Sequence, residues 1–436
     1  MLKDSPKSHA FFERAQKVIP FGVNSSHRYW GENTPVIQRG EGAYVYDFDG
    51  KRYIDYRLGF GPVILGHAHP FVNQRVIAAI QNGVCFSATQ EYEVRVAEHI
   101  IKMCPSVDMV RLDNSGSDAT RHAIRLARGY TGRDIVLKFE GAYHGDYDYM
   151  LWTTPDSLKS RVGKRGEPIR HKTSQGVPDL VSQLLLMAVW NDREGIEKLL
   201  KEKGDSIAAI IVEPILANAG GLMPEPGFLQ FLRNQCDIYG IVLIFDEVKT
   251  GFRIAPGGAG EYFGVQADLS AYAKAMGNGY PISAIGGKRE IMMTIAPGKV
   301  VHAGTYTGNV VVTAAADATL EYMQQHDVFG HLNCVGQQLM DGLDEILTRH
   351  QIDHHIHGLP SLFGLTLSTT SPKDWRDVVD TNLELSEQLL IELVNAGIMT
   401  DSDPQQTWYV SDSHTSEDIA QTLDKFETAL HKALRA

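Results

Sequence analysis

Three short segments, 135–139 (IVLKF), 207–213 (IAAIIVE) and 241–245 (IVLIF), are apolar on both faces. A strand wetted on one side alternates apolar and polar residues, whereas one covered on both sides reads as a continuous apolar run. Helical stretches lie between them, at 118–130 and 226–239, so strand and helix take turns along the chain. That order predicts an α/β fold in which a mostly parallel sheet is flanked by helices on both sides. Sheets of this kind bind ligands beyond the carboxyl ends of their strands.

A chain of 436 residues is long enough for two or three domains with a cleft between them. Past about residue 311 the βα order gives way to an Ala-rich helix at 310–326 and then to mixed α and β. We therefore expect a large domain over 58–310 and a smaller α+β domain over 311–436, joined by the N-terminal segment 1–57. Further helices are predicted at 11–19, 70–82 and 93–103, and a hairpin over 43–56 around Asp49-Gly50. The polar stretch 155–178 reads as a lid over a site. Gly257, Gly258 and Gly260 lack the spacing of a nucleotide loop and read as a surface loop.

Composition narrows the partners. A formal net charge of -12 argues against nucleic acid, whose binding needs basic surface. No run approaches the length of a membrane span, and residues 1–20 lack the apolar stretch of a signal peptide. Cys85, Cys104, Cys236 and Cys334 are scattered and read as reduced thiols, as expected of a cytoplasmic protein. His67 and His69 flank Ala68, but no Cys/His cluster at ligand spacing accompanies them, so no metal is expected.

The chemistry begins where the strand 241–245 runs into Asp246-Glu247. A carboxylate at the end of a buried strand is costly unless it faces a cation or a proton donor; a helix cap or a structural ion pair is the plain alternative. Further on, Lys274 sits among small and apolar residues before the glycine-rich turn Gly277-Asn-Gly279. Such surroundings depress a lysine's pKa and make it a competent imine-forming amine, unless it merely snorkels to solvent. Asn114-Ser115-Gly116-Ser117 precedes a helix, whose N-terminus offers amides to an anion; a simple cap by Ser115 or Ser117 would leave the same trace. His302-Ala-Gly304-Thr305-Tyr306-Thr307-Gly308-Asn309 is a second small, hydroxylated turn before a helix. A cofactor with an aldehyde, a protonatable pyridine and a phosphate needs these parts together.

With these motifs the chain resembles the class III aminotransferases of the fold-type-I pyridoxal-phosphate enzymes, in the branch that contains glutamate-1-semialdehyde aminomutase. The likeness also rests on Gly22-Val-Asn-Ser25 with Arg28, Leu65-Gly-His-Ala-His-Pro70, Tyr143-His144-Gly145, Glu213-Pro214, and Asp246-Glu-Val248 with Thr250-Gly-Phe-Arg253. It implies pyridoxal 5'-phosphate as cofactor, with Lys274 holding its aldehyde as an imine and Asp246 partnering its ring nitrogen. Val248 then resembles the apolar residue under one ring face and Tyr143 the aromatic on the other, with His144 beside it. Ser115, Gly116 and Ser117 match the phosphate cup, and Glu213 a glutamate that supports the site from behind. Thr305 matches a threonine that reaches the phosphate of the neighbouring subunit, which implies a homodimer.

Substrate choice turns on the departures. Arg28 stands where the aminomutase branch holds a substrate carboxylate, a task suited to a guanidinium fork, although a surface or small-domain ion pair is the alternative. Asn218 stands, as in the aminomutase branch, where many class III enzymes carry a glutamate that partners a second arginine, and 401–414 contains no arginine, which disfavours a dicarboxylate held by two arginines. Gln406 stands where the aminomutase has glutamate. These features suggest a transaminase that moves an amino group from an amine or β-type amino acid to a small keto acid such as pyruvate. The alternatives are the aminomutase itself and a non-catalytic cofactor-binding protein. Trp30, Tyr143, Tyr147 and Tyr306 are expected to furnish an aromatic-tolerant pocket, unless 30 and 147 only pack in the core.

Overall fold

A computed structural model of the chain describes residues 5–155 and 159–435, without the side chain of Lys159. The three doubly apolar segments lie side by side in a seven-stranded sheet. In spatial order its strands are Met109–Asp113, Ser283–Gly287, Leu269–Tyr272, Val242–Glu247, Ile207–Val212, Ile135–Phe139 and Leu185–Ala188. Ser283–Gly287 runs against both of its neighbours, and the other pairings are parallel.

Alternate residues of these strands feed two cores, which is why both sets had to be apolar. Leu137, Phe139, Ile210, Val212, Leu243 and Phe245 pack with Ile196, Leu200, Leu229 and Leu232 of the helices Arg193–Lys203 and Phe228–Tyr239. Val136, Ala209, Ile211, Val242 and Ile244 pack on the opposite face with Ala119, Ala123 and Leu126 of the helix Gly116–Thr131. Lys138 is the exception within this second set. Its fully buried Nζ donates to the carbonyls of Ala142, Met150 and Trp152 at 3.1, 3.2 and 2.7 Å, so it ties down the chain that follows the strand.

The hairpin forms as expected: Tyr44–Tyr46 pairs antiparallel with Arg52–Asp55 through a turn in which Gly50 takes φ 86°. Arg39–Glu41 adds to one edge and Ile398–Met399 pairs parallel on the other, which brings the two ends of the chain into one sheet. The helix Val310–Gln325 packs against Pro70–Ile80 and Glu91–Met103. Glu91–Met103 begins earlier than its periodicity suggested, because Gln90 and Glu93 close a capping box. The N-terminal helix spans Pro6–Gln16 rather than 11–19, with Pro6 preset for the first turn. No helix among the described residues is long and apolar enough to cross a membrane. The four cysteines are free thiols.

The stretch 155–178 differs from a free lid, and residues 156–158 lie outside the described residues. The buried Arg376 donates to Val162 O and Gly163 O at 3.2 and 2.8 Å while forking onto Glu140, with both bonds at 2.7 Å. Arg165 pairs with Asp374 and Asp377. Farther along, Trp152 and Lys172 form an antiparallel bridge. Its residues 162–172 are therefore pinned to the body, and among its described residues Pro155 reaches the cavity discussed next.

Candidate active site

The central strand continues past its apolar run to Glu247, so two consecutive carboxylates point to opposite sides of the sheet. Asp246 faces a cavity: its Oδ2 lies 2.7 Å from His144 Nδ1, and its Oδ1 accepts from Val248 N at 3.1 Å. Glu247 turns away and accepts from Ala259 N at 2.9 Å, Gly260 N at 3.0 Å and Thr250 Oγ1 at 2.6 Å. Burial pushes its carboxyl up to about 7. Gly257 and Gly258 are thus a buried turn, not a surface loop. A Cβ on Gly258 would stand 2.6 Å from the Glu247 carboxylate, and its φ of 68° suits glycine.

The neighbouring strand aligns Ala271 with Asp246, so Lys274 emerges just beyond the same edge and enters the cavity. Its backbone sits at φ 49°, a left-handed conformation that costs a non-glycine residue roughly 1–2 kcal/mol. Asn278 holds this turn in place. Its Oδ1 accepts from Leu65 N at 2.9 Å and its Nδ2 donates to Gly66 O at 3.1 Å, which gives the Leu65-Gly66-His67 motif its place. Burial first, and the charge of Lys249 after it, lower the Lys274 pKa to about 7 against the pull of Glu213 and Asp246.

Opposite Lys274 the helix Gly116–Thr131 points its N-terminus at the cavity. Ser115 caps it, accepting from Asp118 N at 3.2 Å, and Ser117 Oγ accepts from Asp146 N at 3.0 Å. The expected cap and the expected anion site are one place. Gly116 approaches Val248 so closely that a Cβ there would lie 3.1 Å from it. Asp113, just before this turn, meets His122 Nδ1 at 2.8 Å and His302 Nε2 at 3.1 Å, which joins it to the 302–309 turn.

A second polar chain runs under the other wall. Glu213 accepts from Tyr143 N at 2.8 Å and from Asn218 Nδ2 at 3.2 and 3.0 Å. Asn218 Oδ1 in turn accepts from Lys249 Nζ at 2.7 Å. Burial raises the Glu213 pKa.

The inner cavity gathers Ser115, Gly116, Ser117, Tyr143, His144, Glu213, Asn218, Asp246, Val248 and Lys274. It opens into a mouth lined by Arg28, Phe60, Asp401 and Gln406. Arg28 makes no ion pair among the described residues, whereas Arg57 takes Asp401 at 2.8 Å and stacks on Phe60. Three expected residues are not brought in, and a fourth, Thr305, is expected only at the neighbouring subunit's phosphate. Trp30 packs under Arg57 against Val45, Tyr53, Val394 and Met399. Thr305 and Tyr306 stand exposed on their turn, outside the cavity of their own chain. Tyr147 is partly buried and packs against the core, donating to Thr120 Oγ1 at 3.2 Å. Sequence reading passed over Lys249, although it lies inside the Asp246–Arg253 motif and directly follows Val248.

The residues present fit pyridoxal phosphate. The first-turn amides of a helix lack partners within it and suit a phosphate. Asp246 suits a protonated ring nitrogen, Val248 and Tyr143 suit the ring, and Lys274 suits the aldehyde. His144 Nε2 is buried at this cavity without a partner among the described residues, a polar atom that a ligand could satisfy.

The sequence profile described as "Aminotransferase class-III" matches residues 28–430. A glutamate-1-semialdehyde 2,1-aminomutase of Desulfatibacillum aliphaticivorans is 41% identical over 430 residues, covering 98% of this chain and 99% of the relative. The crystal structure of an omega-transaminase from Sphaerobacter thermophilus superposes with a TM-score of 0.92 at 32% identity, over 99% of both chains. A transaminase solved with pyridoxal phosphate bound gives 0.89 at 29% identity, over 99% of this chain and 98% of its own. The chain belongs to the class III aminotransferases, and it is an enzyme whose cofactor is pyridoxal 5'-phosphate.

Proposed function

We propose that this enzyme moves an amino group from an amine or β-type amino acid to a small keto acid such as pyruvate. Once bound, the cofactor supplies an aldehyde to receive the amino group and a ring that draws electrons from the adjacent carbon. Lys274 holds the cofactor and, when released, moves the substrate proton; an amine held near 7 can both take and give it at neutral pH. Asp246, fixed by His144, keeps the ring nitrogen protonated. Arg28 faces the mouth with its guanidinium free of carboxylate partners among the described residues, and receives the carboxylate of a donor that has one.

The observation that carries this reading is Gln406. Amino transfer within one semialdehyde passes through a skeleton bearing amines on neighbouring carbons, so a negative group beside the second amine assists it. Here the side chain is a neutral amide, bonded to Asp403 Oδ2 at 3.3 Å and facing Lys249 Nζ at 3.5 Å. A cation next to that position opposes a second ammonium.

The second reading is glutamate-1-semialdehyde 2,1-aminomutase, favoured by the 41% identity to such an enzyme over nearly the whole chain. On identity alone it stands ahead of the first. Holoenzyme assayed with 1-phenylethylamine or β-phenylalanine plus pyruvate, and separately with glutamate-1-semialdehyde and no keto acid, separates them. Fast isomerisation of the semialdehyde with no turnover of either donor would overturn the transaminase reading.

The working unit of this proposal is a homodimer. Ile77, Ile80, Val84, Phe86 and Tyr306 are exposed, and the segment around them is continuous with Thr305: Val310 N donates to Val84 O at 3.0 Å, and Cys85 Sγ lies 3.6 Å from Thr305 O. An apolar patch beside a threonine with no site in its own chain suits burial against a second copy.

A further inference from the structure

Lys249 is a buried cation that the reaction above does not use. It is 7% exposed, yet it lines both the inner cavity and the mouth. Its partners are all neutral: Asn218 Oδ1 at 2.7 Å, Ala217 O at 3.4 Å and Gln406 Oε1 at 3.5 Å, with the Tyr409 ring 5.7 Å away. The acids nearby are committed elsewhere. Asp401 pairs with Arg57, Asp403 accepts from Gln405 N and Gln406 Nε2, and Glu213 is separated from Lys249 by Asn218. Among the described residues no carboxylate lies within ion-pair distance of it.

An ammonium removed from water without a counter-charge costs several kcal/mol, and a sequence keeps such a group where an arriving anion offsets the cost. Asn218 is itself oriented by both oxygens of Glu213, so its carbonyl oxygen has no choice but to face the lysine. Glu213, Asn218 and Gln406 thus hold the Nζ at the boundary between the chamber of Lys274 and the mouth.

We propose that Lys249 is the cation of a carboxylate subsite and binds the carboxylate adjacent to the reacting carbon of the keto acid acceptor. Residues 401–406, at the start of the region where a second arginine is missing, contribute Asp401, Ser402, Asp403, Gln405 and Gln406 to the mouth. Arg28 and Lys249 then divide the work: the arginine takes the donor's distal carboxylate, and the lysine takes the acceptor. An amine donor without any carboxylate needs neither. This assignment rests on the transaminase reading. It also gives Lys249 a further effect, since its charge is part of what keeps the Lys274 amine unprotonated.

The test uses holoenzyme of the wild type and of Lys249→Met, Lys249→Gln and Lys249→Arg. Propionate, a carboxylate that cannot react, is titrated against the cofactor's absorbance, and half-reactions are followed with pyruvate (on the aminated form) and with 1-phenylethylamine. Without the lysine's charge-assisted hydrogen bond, propionate and pyruvate should bind roughly ten- to a hundredfold more weakly. The affinity for 1-phenylethylamine should stay within about twofold, even though the lost charge beside Lys274 slows the proton transfer of every half-reaction, and Lys249→Arg should restore part of the carboxylate affinity. Equal losses of affinity for pyruvate and 1-phenylethylamine would show that Lys249 does not discriminate for a carboxylate and overturn the assignment. Unchanged propionate affinity in Lys249→Met and Lys249→Gln, both folded by thermal melt, would also overturn it. If the wild type turns over no keto acid, the transaminase reading has failed, and the propionate titration still decides for or against the subsite.

Discussion

Replacing Arg376 by Leu tests how the stretch 155–178 is held beside the active site. Arg376 forks onto Glu140 through Nε and Nη2, both at 2.7 Å, and directs its remaining donors to Val162 O and Gly163 O. Both partners of the pair are buried. Glu140 follows the strand Ile135–Phe139 and precedes Tyr143 and His144 by a few residues, so the pair links the cavity wall to the covering segment. Removing one member of such a pair leaves the other charged and desolvated, a loss of about 3–5 kcal/mol. Burial already raises the Glu140 carboxyl and Arg376 opposes that rise, so the variant drives Glu140 toward its neutral form. The predicted fall in the urea midpoint is on the order of 1 M. Cleavage by a limiting protease within 159–175 should appear before any other cut. Glu140→Leu combined with Arg376→Leu should recover a good part of the stability, because two apolar residues replace two charges. A double variant as unstable as the sum of the singles, or an Arg376→Leu midpoint within error of wild type, would refute the reasoning.

Two further expectations concern the site. In the folded apoenzyme Lys274 sits near 7 against an ordinary 10.5. Between those values the unfolded chain binds protons that the folded one does not, so apoenzyme stability rises with pH across this window. Thermal melts at several pH values between 7 and 10 check this, and Lys274→Met should flatten the slope in part; a flat wild-type profile contradicts it. For the dimer, mixing Lys274→Ala chains with Thr305→Ala chains should create one site with both residues intact. Cofactor titration should then find a population of tight sites absent from either parent, whereas a Thr305 acting within its own chain gives none.

What the sequence disclosed follows from which physics is local. The doubly apolar strands could be read because burial on two faces leaves no choice of residue type, and both cores used those positions as the pattern required. Helix ends were less legible where a side chain decided them: Gln90 with Glu93 moved one start, and Glu247 turned a presumed surface loop into a buried one. Trp30 was misplaced because an aromatic residue beside a motif looks the same whether it lines a pocket or covers a neighbouring sheet. The pinning of 162–172 could not be seen at all. Its anchor, Arg376, lies more than two hundred residues further along, and nothing in the spacing announces the pairing.

Lys249 shows why motif reading stops short of electrostatics. From the sequence, the depressed pKa of Lys274 was expected from its small and apolar surroundings alone. The structure agrees that burial is the largest cause, but it also sets two carboxylates, Glu213 and Asp246, on the side of the charged form. In a medium where charges interact strongly, those acids could have held the amine protonated and therefore unreactive. A second lysine in the same cavity adds to burial on the side of the neutral amine, and Arg253 does so more weakly. The side chain of Lys249 also faces the space where a substrate carboxylate would arrive. When a carboxylate binds there, it offsets Lys249, so Lys274 becomes easier to protonate just when a proton has to be stored. The acid–base behaviour of Lys274 is in this way tied to the ligand beside it, not fixed by its own environment.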